Sequence, residues 1–338
     1  MQFTVRPYRS GDEAAINDMF NEVFSQQRDL ASWFWKFRDN PYGSYFISLC
    51  ETEDGTLAAQ YAGYPALCCI FDPATRTARE FLTLQLGDKM TRREFRAAGF
   101  RQNSLMARTY RHFSEKYADG QIPFCYGFVT GSSRKIGNLV LGYSEIEPIP
   151  FRRLVLDGRK EVSGLVRFSR RVSGISVRPF NAVTAEWTEF FSQVLPDYSC
   201  LIRKDETFLR WRYFERPDSK YLALAVRRWG RLAGWAVFGR RGEKLIWGDC
   251  LIRKGDIEGV RAILDFVTGS SIAEGARSIE CWYPPRPAWW HEILVSLGFQ
   301  MEAEPDNLHL TLGICNDPSL PELLKGRLYY SLGDSDLF

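Results

Sequence analysis

One block of sequence in this 338-residue chain occurs twice. Trp35-Lys-Phe-Arg-Asp-Asn-Pro41, followed by Tyr45, matches Trp211-Arg-Tyr-Phe-Glu-Arg-Pro217, followed by Tyr221. The shared pattern is Trp, a base, an aromatic, any residue, an acid, any residue, Pro and, after three more, Tyr. Two further blocks recur in the same order: Leu86-Gly-Asp88 with Trp247-Gly-Asp249, and Gly142-Tyr143 with Gly298-Phe299. The spacing shortens from 176 residues at the first block to 156 at the last, so the copies differ by deletions between matched blocks. Self-similarity at this length means a duplicated domain and not a solenoid. Two domains also suit the chain length, and each half is large enough to bury roughly two-thirds of its unfolded surface without staples.

The hydrophobic pattern orders the first copy. Phe3 to Tyr8 reads as a strand, and Ser10-Gly-Asp-Glu13 has the S-x-x-E form of a capping box opening a helix to Phe24. A short helix over Leu30 to Arg38 stops before Pro41. Strands follow over Ser44 to Cys50 and Leu57 to Phe71, the second broken near Pro65. Glu80-Phe-Leu-Thr-Leu-Gln-Leu86 alternates with a period near two and is interrupted by Gly87-Asp88. From Gln102 the spacing turns helical, with Leu105, Met106, Thr109, Tyr110, Phe113 and Tyr117 on one face. Gln121 to Val129 is another strand, and Ser132 to Leu141 a helix closed by Gly142. The class is α/β (α+β), with mixed, mostly antiparallel sheets flanked by helices. The reading divides the chain into an N-terminal domain over 1–150, a basic connecting segment over 151–180, a C-terminal domain over 181–315 and a tail over 316–338.

Between the strand at Glu80 and the helix from Gln102 lies a basic loop with a single glycine, Arg92 to Arg101. A loop that feeds amide groups into a helix N-terminus is a ready anion site, and Arg96 and Arg101 add mobile positive charge. The connecting segment holds eight Lys or Arg against two acids and reads as a solvated strand pair with a linker. Trp282, Tyr283, Trp289 and Trp290 read as packing between the halves or as the wall of an acceptor pocket.

Composition narrows the partners. Net charge of +3 and a pI near 8.4 argue against a nucleic-acid partner, which draws on many phosphate contacts. Eight cysteines with no C-x-x-C and three scattered histidines give no metal framework. No apolar run approaches about eighteen residues, and the start has no apolar signal core, so the expectation is a soluble, reduced, cytoplasmic protein with no membrane partner. No G-x-x-x-x-G-K-[ST] or G-x-G-x-x-G occurs. Oligomeric state is open.

Strand, R-x-x-G loop and helix, then a strand and a helix ending in Gly-aromatic, resemble the GCN5-related N-acetyltransferase (GNAT) superfamily. The loop is Arg96-Ala-Ala-Gly99-Phe-Arg101, with Arg101 where that superfamily's Q/R-x-x-G-x-G/A has a small residue. The likeness covers roughly Thr4 to Glu147 and, through the repeat, Arg203 to Leu312, as in tandem-GNAT proteins with a degenerate second copy. It implies acetyl-CoA or another acyl-CoA as co-substrate, a small-molecule amine as acceptor, and no metal. Met90, Thr91, Arg96, Ala97, Ala98, Gly99, Phe100, Arg101 and Gln102 would hold the cofactor, with its pantetheine arm beside Asp88 to Thr91 in a gap between splayed strands. The superfamily's tyrosine slot holds Asn138 and Leu139 here, which leaves Tyr126 or Tyr143 as proton donor and Asp88 as the best-placed carboxylate base. Asp249 repeats Asp88 in a copy without the loop, which also fits a structural role for Asp88. Two other readings stay open: a non-catalytic CoA-binding or scaffold protein, and a relative of the aminoacyl-tRNA-dependent peptidyl transferases.

Overall fold

Two sheets with the same strand order make up the computed structural model, which describes residues 2–96, 102–156, 174–217 and 220–338. In the first sheet β1 (Phe3–Pro7), β2 (Ile47–Thr52), β3 (Leu57–Asp72) and β4 (Thr77–Thr91) pair antiparallel in sequence, and β5 (Phe124–Val129) joins β4 in parallel. β6 (Ser144–Pro148) comes next in the chain but not in the sheet. Between it and β5 lies β15 (His309–Cys315), antiparallel to both.

The second sheet mirrors this. β8 (Ile175–Pro179), β10 (Leu222–Arg228), β11 (Arg231–Arg241), β12 (Lys244–Ile252) and β13 (Ser278–Trp282) repeat the order, with β12 and β13 parallel. The strand after β13 is β7 (Phe151–Val155), which separates it from β14 (Gln300–Glu302). Each half therefore lends one strand to the other, an internal counterpart of domain swapping. A division at residue 150 falls between β6 and β7, which enter different sheets, and 181–315 gives its last strand to the first sheet. The described ends of the basic segment, β7 and β8, are built into the second sheet. Short β9 (Cys200–Ile202) bridges the far end of β3 and β16 (Leu328–Tyr329).

The helices α1 (Glu13–Phe24), α2 (Leu30–Phe37), α3 (Leu105–Phe113) and α4 (Gly131–Val140) flank the first sheet. The second half carries α5 (Ala185–Tyr198), α6 (Glu206–Leu209) with a wide turn through Phe214, α7 (Ile257–Thr268), α8 (Ala288–Ser296) and α9 (Leu320–Arg327). In α3 the expected face is inward: Leu105, Thr109 and Phe113 are buried, with Met106, Tyr110 and Tyr117 packed against the core that holds Phe113. Gly142 and Gly298 both take positive φ just after α4 and α8, ending the two helices alike.

Three local readings change. Ser10 does not cap α1: Glu13 accepts from the Gly11 amide and the Tyr8 hydroxyl, while Asp12 is drawn to Arg6. β3 runs unbroken through Pro65, because β2 has ended there and the residue's outer side faces Asn40, whose Nδ2 donates to the Pro65 carbonyl at 3.1 Å. β4 continues past Gly87-Asp88 by absorbing one extra residue: Ala62 pairs with Gly87 but Gln60 with Met90, and Asp88 bulges out at φ 49°.

The two copies meet on their repeated tryptophans. Trp35 and Trp211 stack at 4.9 Å and 14° between planes. Each Nε1 donates to the other's carbonyl oxygen, at 2.7 and 3.0 Å, so the contact is two-fold in kind. Residues 331–338 are part of this seam. Arg212, in the turn after α6, donates to the carbonyls of Gly333, Ser335 and Phe338 at 3.0, 2.9 and 2.8 Å. A side chain as buried as Trp211 leaves a large cavity when truncated. Trp211→Ala should cost about 3–5 kcal/mol, whereas exposed Leu139→Ala should stay within about 0.5 kcal/mol, both read by urea unfolding.

Candidate active site in the gap between β4 and β5

Two parallel strands that should lie side by side separate almost at once. β4 and β5 pair only at Leu84 with Cys125 and Gln85 with Tyr126. Beyond that point β4 stays on β3 through its bulge, while β5 stays on β15 through Val129. Two free strand edges then face one another across a gap. Gly127 contributes no side chain to it, and a Cβ there would lie 3.3 Å from the Leu86 carbonyl oxygen. The gap is narrow at this root.

Asp88 lies at the bulge and points away from bulk water. Its carboxylate takes Arg28 at 2.5 Å and Lys36 at 2.8 Å, and its carbonyl accepts from Gln60. Burial alone would raise its pKa, but the charges of Arg28 and Lys36 outweigh that and lower it to about 2. A carboxylate so held binds a proton poorly and works as an anchor tying α2 and the segment before it to β4. The second copy repeats the device: Asp249 accepts from Lys204 at 2.9 Å and from the Tyr213 and Ser331 hydroxyls at 2.7 Å. Arg28-Asp29 and Lys204-Asp205 stand 176 residues apart, the spacing of the tryptophan block, and both aspartates cap the following helix. Sequence reading missed this upstream extension of the repeat, although the signal was present.

Tyr126 is buried against the tail, its hydroxyl donating to the Asp334 carbonyl at 3.3 Å. Burial, then the nearby Asp334 charge, push its phenol well above the ordinary range. Met90 packs in the core under α1 and α2. Thr91 ends β4, where its carbonyl accepts from Arg96 Nε at 2.9 Å, and Gln102 is exposed ahead of α3. Ala97, Ala98, Gly99, Phe100 and Arg101 lie outside the described residues. Ser104 caps α3 by accepting from the Ala107 amide.

A residue that sequence reading passed over enters the gap. Lys89, next after the bulge, reaches toward β5: its Nζ lies 3.6 Å from the Cβ position of Gly127 and 5.2 Å from the centre of the Tyr143 ring. Desolvation lowers its pKa to about 8, opposed by the charge of Asp336.

The corresponding gap of the second copy is closed from within. The Tyr329 hydroxyl donates to the Cys250 carbonyl at 3.1 Å, and the Tyr198 hydroxyl serves both the amide and the carbonyl of Ile252. Tyr283 and Trp290 fill the space against Trp247, which makes them core and not pocket wall. At the N-terminus of α7, Asp256 accepts from the Gly259 amide and pairs with Arg228, so a carboxylate already occupies the anion position. The open groove beside it, about 1030 Å³, mixes Glu186 and Glu189 with Arg231 and Lys254 and has no single charge. Among the described residues no cluster of His, Cys, Asp or Glu is placed to hold a metal ion, and no helix is long and apolar enough to cross a membrane.

The fold is that of the GCN5-related N-acetyltransferases. A GCN5-related N-acetyltransferase from Anabaena variabilis ATCC 29413 superposes with a TM-score of 0.64 at 10% identity, over 93% of this chain and 73% of its own. A conserved protein of unknown function from Enterococcus faecalis V583, described as a probable N-acyltransferase, gives 0.64 at 10% identity over 92% and 72%. A GCN5-related N-acetyltransferase from Kribbella flavida gives 0.61 at 13% over 92% and 70%. No protein-family model and no curated protein matches the sequence.

Asp88→Asn takes the carboxylate from buried Arg28 and leaves Lys36 only Asp336, and should cost about 3–5 kcal/mol. Because the folded-state pKa is depressed, the native pairing contributes above the ordinary carboxylate value and is lost as pH falls towards about 2. Urea unfolding of both proteins should therefore show their difference narrowing as pH drops below about 4.

Proposed function

We propose that the chain transfers an acyl group, acetyl in the first instance, from acyl-CoA to the amine of a small molecule. The observation that carries this reading is the contrast between the copies: one gap between parallel strands has two free edges and the basic residues Arg92, Arg93 and Arg96 directly after β4, and the other is filled by tyrosines and a capping aspartate. Loop amides from Arg96 to Arg101 would take the pyrophosphate, assisted by the guanidinium charges and the start of α3. The pantetheine would run beside β4 from Asp88 to Thr91. A free strand amide would donate to the thioester carbonyl as negative charge develops there. The amine attacks directly, so the protein's chief contribution is to hold two reactants in contact.

Asp88 serves this chemistry by fixing the bulge, and Tyr126 is the nearest phenol on β5, turned toward the tail. That placement favours a second reading, a CoA-binding scaffold without turnover, because neither residue presents itself to the gap. Arg96→Glu replaces a charge-assisted contact worth roughly 1.5–3 kcal/mol with repulsion and should abolish acetyl-CoA binding in calorimetry. Unchanged affinity would remove the loop assignment. Free-thiol release with a panel of amines separates the two readings: turnover with any acceptor supports the enzyme, and binding without release supports the scaffold.

A further inference from the structure

Three lysines of this protein sit among packed strands and helices, and two have carboxylates. Lys36 holds Asp88 and Asp336, and Lys204 holds Asp249 and Asp334. Lys89 has no hydrogen-bond or ion-pair partner among the described residues. Its stem leaves β4 one residue after the bulge, and its nitrogen lies in the gap against Gly127 with the Tyr143 ring beneath it. The titratable groups facing it are Tyr143, from the turn after α4, whose hydroxyl is engaged with Tyr61, and Asp336, from the tail, which is bound to Lys36 and Gln85. The equivalent position in the closed copy is Cys250, whose carbonyl is covered by Tyr329. The amine is thus found only in the gap with free edges.

We infer that Lys89 is an acyl-acceptor lysine, which takes an acyl group from a thioester lying in the gap. This rests on the functional reading above, which places the thioester beside β4. In the step, the neutral amine nitrogen attacks the thioester carbonyl carbon. A C–N amide bond forms, the C–S bond breaks, and the departing thiolate takes the proton that the nitrogen loses. Acylation removes the charge of Lys89, the one cation of the gap without a hydrogen-bond or ion-pair partner among the described residues, and fills part of the space, so the modified protein binds further acyl-CoA less well. The lowered amine pKa, about 8, supplies neutral nucleophile at pH values where an exposed lysine has little.

The test is incubation of the full chain with acetyl-CoA, followed by intact-mass measurement and peptide mapping. The expected result is a single acetyl group at Lys89, formed roughly tenfold or more faster than on exposed Lys135 and Lys244, and absent from Lys89→Arg. Its rate should rise with pH and level off above about 8. If calorimetry shows acetyl-CoA bound and Lys89 is modified no faster than the exposed lysines, the inference is overturned. If acetyl-CoA does not bind, the cofactor reading fails by itself, and S-acetyl-N-acetylcysteamine, a thioester without phosphates, decides the matter. Selective labelling of Lys89 by that reagent upholds the lysine's role; labelling spread over the surface refutes it.

Discussion

Neither sheet of this protein closes without a strand from the other half. β15 completes the first sheet between β5 and β6, and β7 completes the second between β13 and β14. Backbone groups in the middle of a sheet are costly to leave unpaired, so each half depends on its partner for the register of its last strands. The same exchange fixes the gap. β5 is held on one side by a strand from the far end of the chain, and β4 is held by β3, so the two strands can diverge without either losing its outer pairing.

A second layer of constraint is the pair of buried aspartates. Asp88 and Asp249 hold one place in the repeat, each tied to a cation 60 or 45 residues upstream, and both seams run to the 331–338 segment through Asp336 and Asp334. Charges buried at this depth persist only when paired. The Trp35–Trp211 stack adjoins these ties in sequence, Trp35 preceding Lys36 and Trp211 preceding Arg212, which holds the 331–338 segment. Duplication therefore left a shared structural frame in both copies and a gap with free strand edges in one. The second copy kept its anchors and filled its gap with Tyr198, Tyr283 and Tyr329.

Much of this was legible from residues. The repeat, the helix faces and the strand–loop–helix order followed from periodicity and from matched blocks, since side-chain burial imposes those patterns directly. Strand exchange was not legible: Phe151–Val155 reads as a strand, but which sheet receives it depends on chain crossings that no local pattern encodes. The 331–338 segment was missed because Arg212 recognises its backbone carbonyls, which carry no side-chain signature. The run of β4 through Gly87-Asp88 was hidden by a bulge that accepts an aspartate at positive φ. Within the site, comparison with Asp249 raised a structural part for Asp88 beside the catalytic one, and its pairing with Arg28 and Lys36 fits the structural part. Lys89 escaped notice because a single lysine in a strand is ordinary until its neighbours are known.

On the proposed reading, one copy keeps a gap for acyl-CoA and the other has closed its own. Calorimetric titration of the whole chain with acetyl-CoA tests it most directly through the stoichiometry. One molecule bound per chain is the predicted result; two, or none at any attainable concentration, would contradict the account.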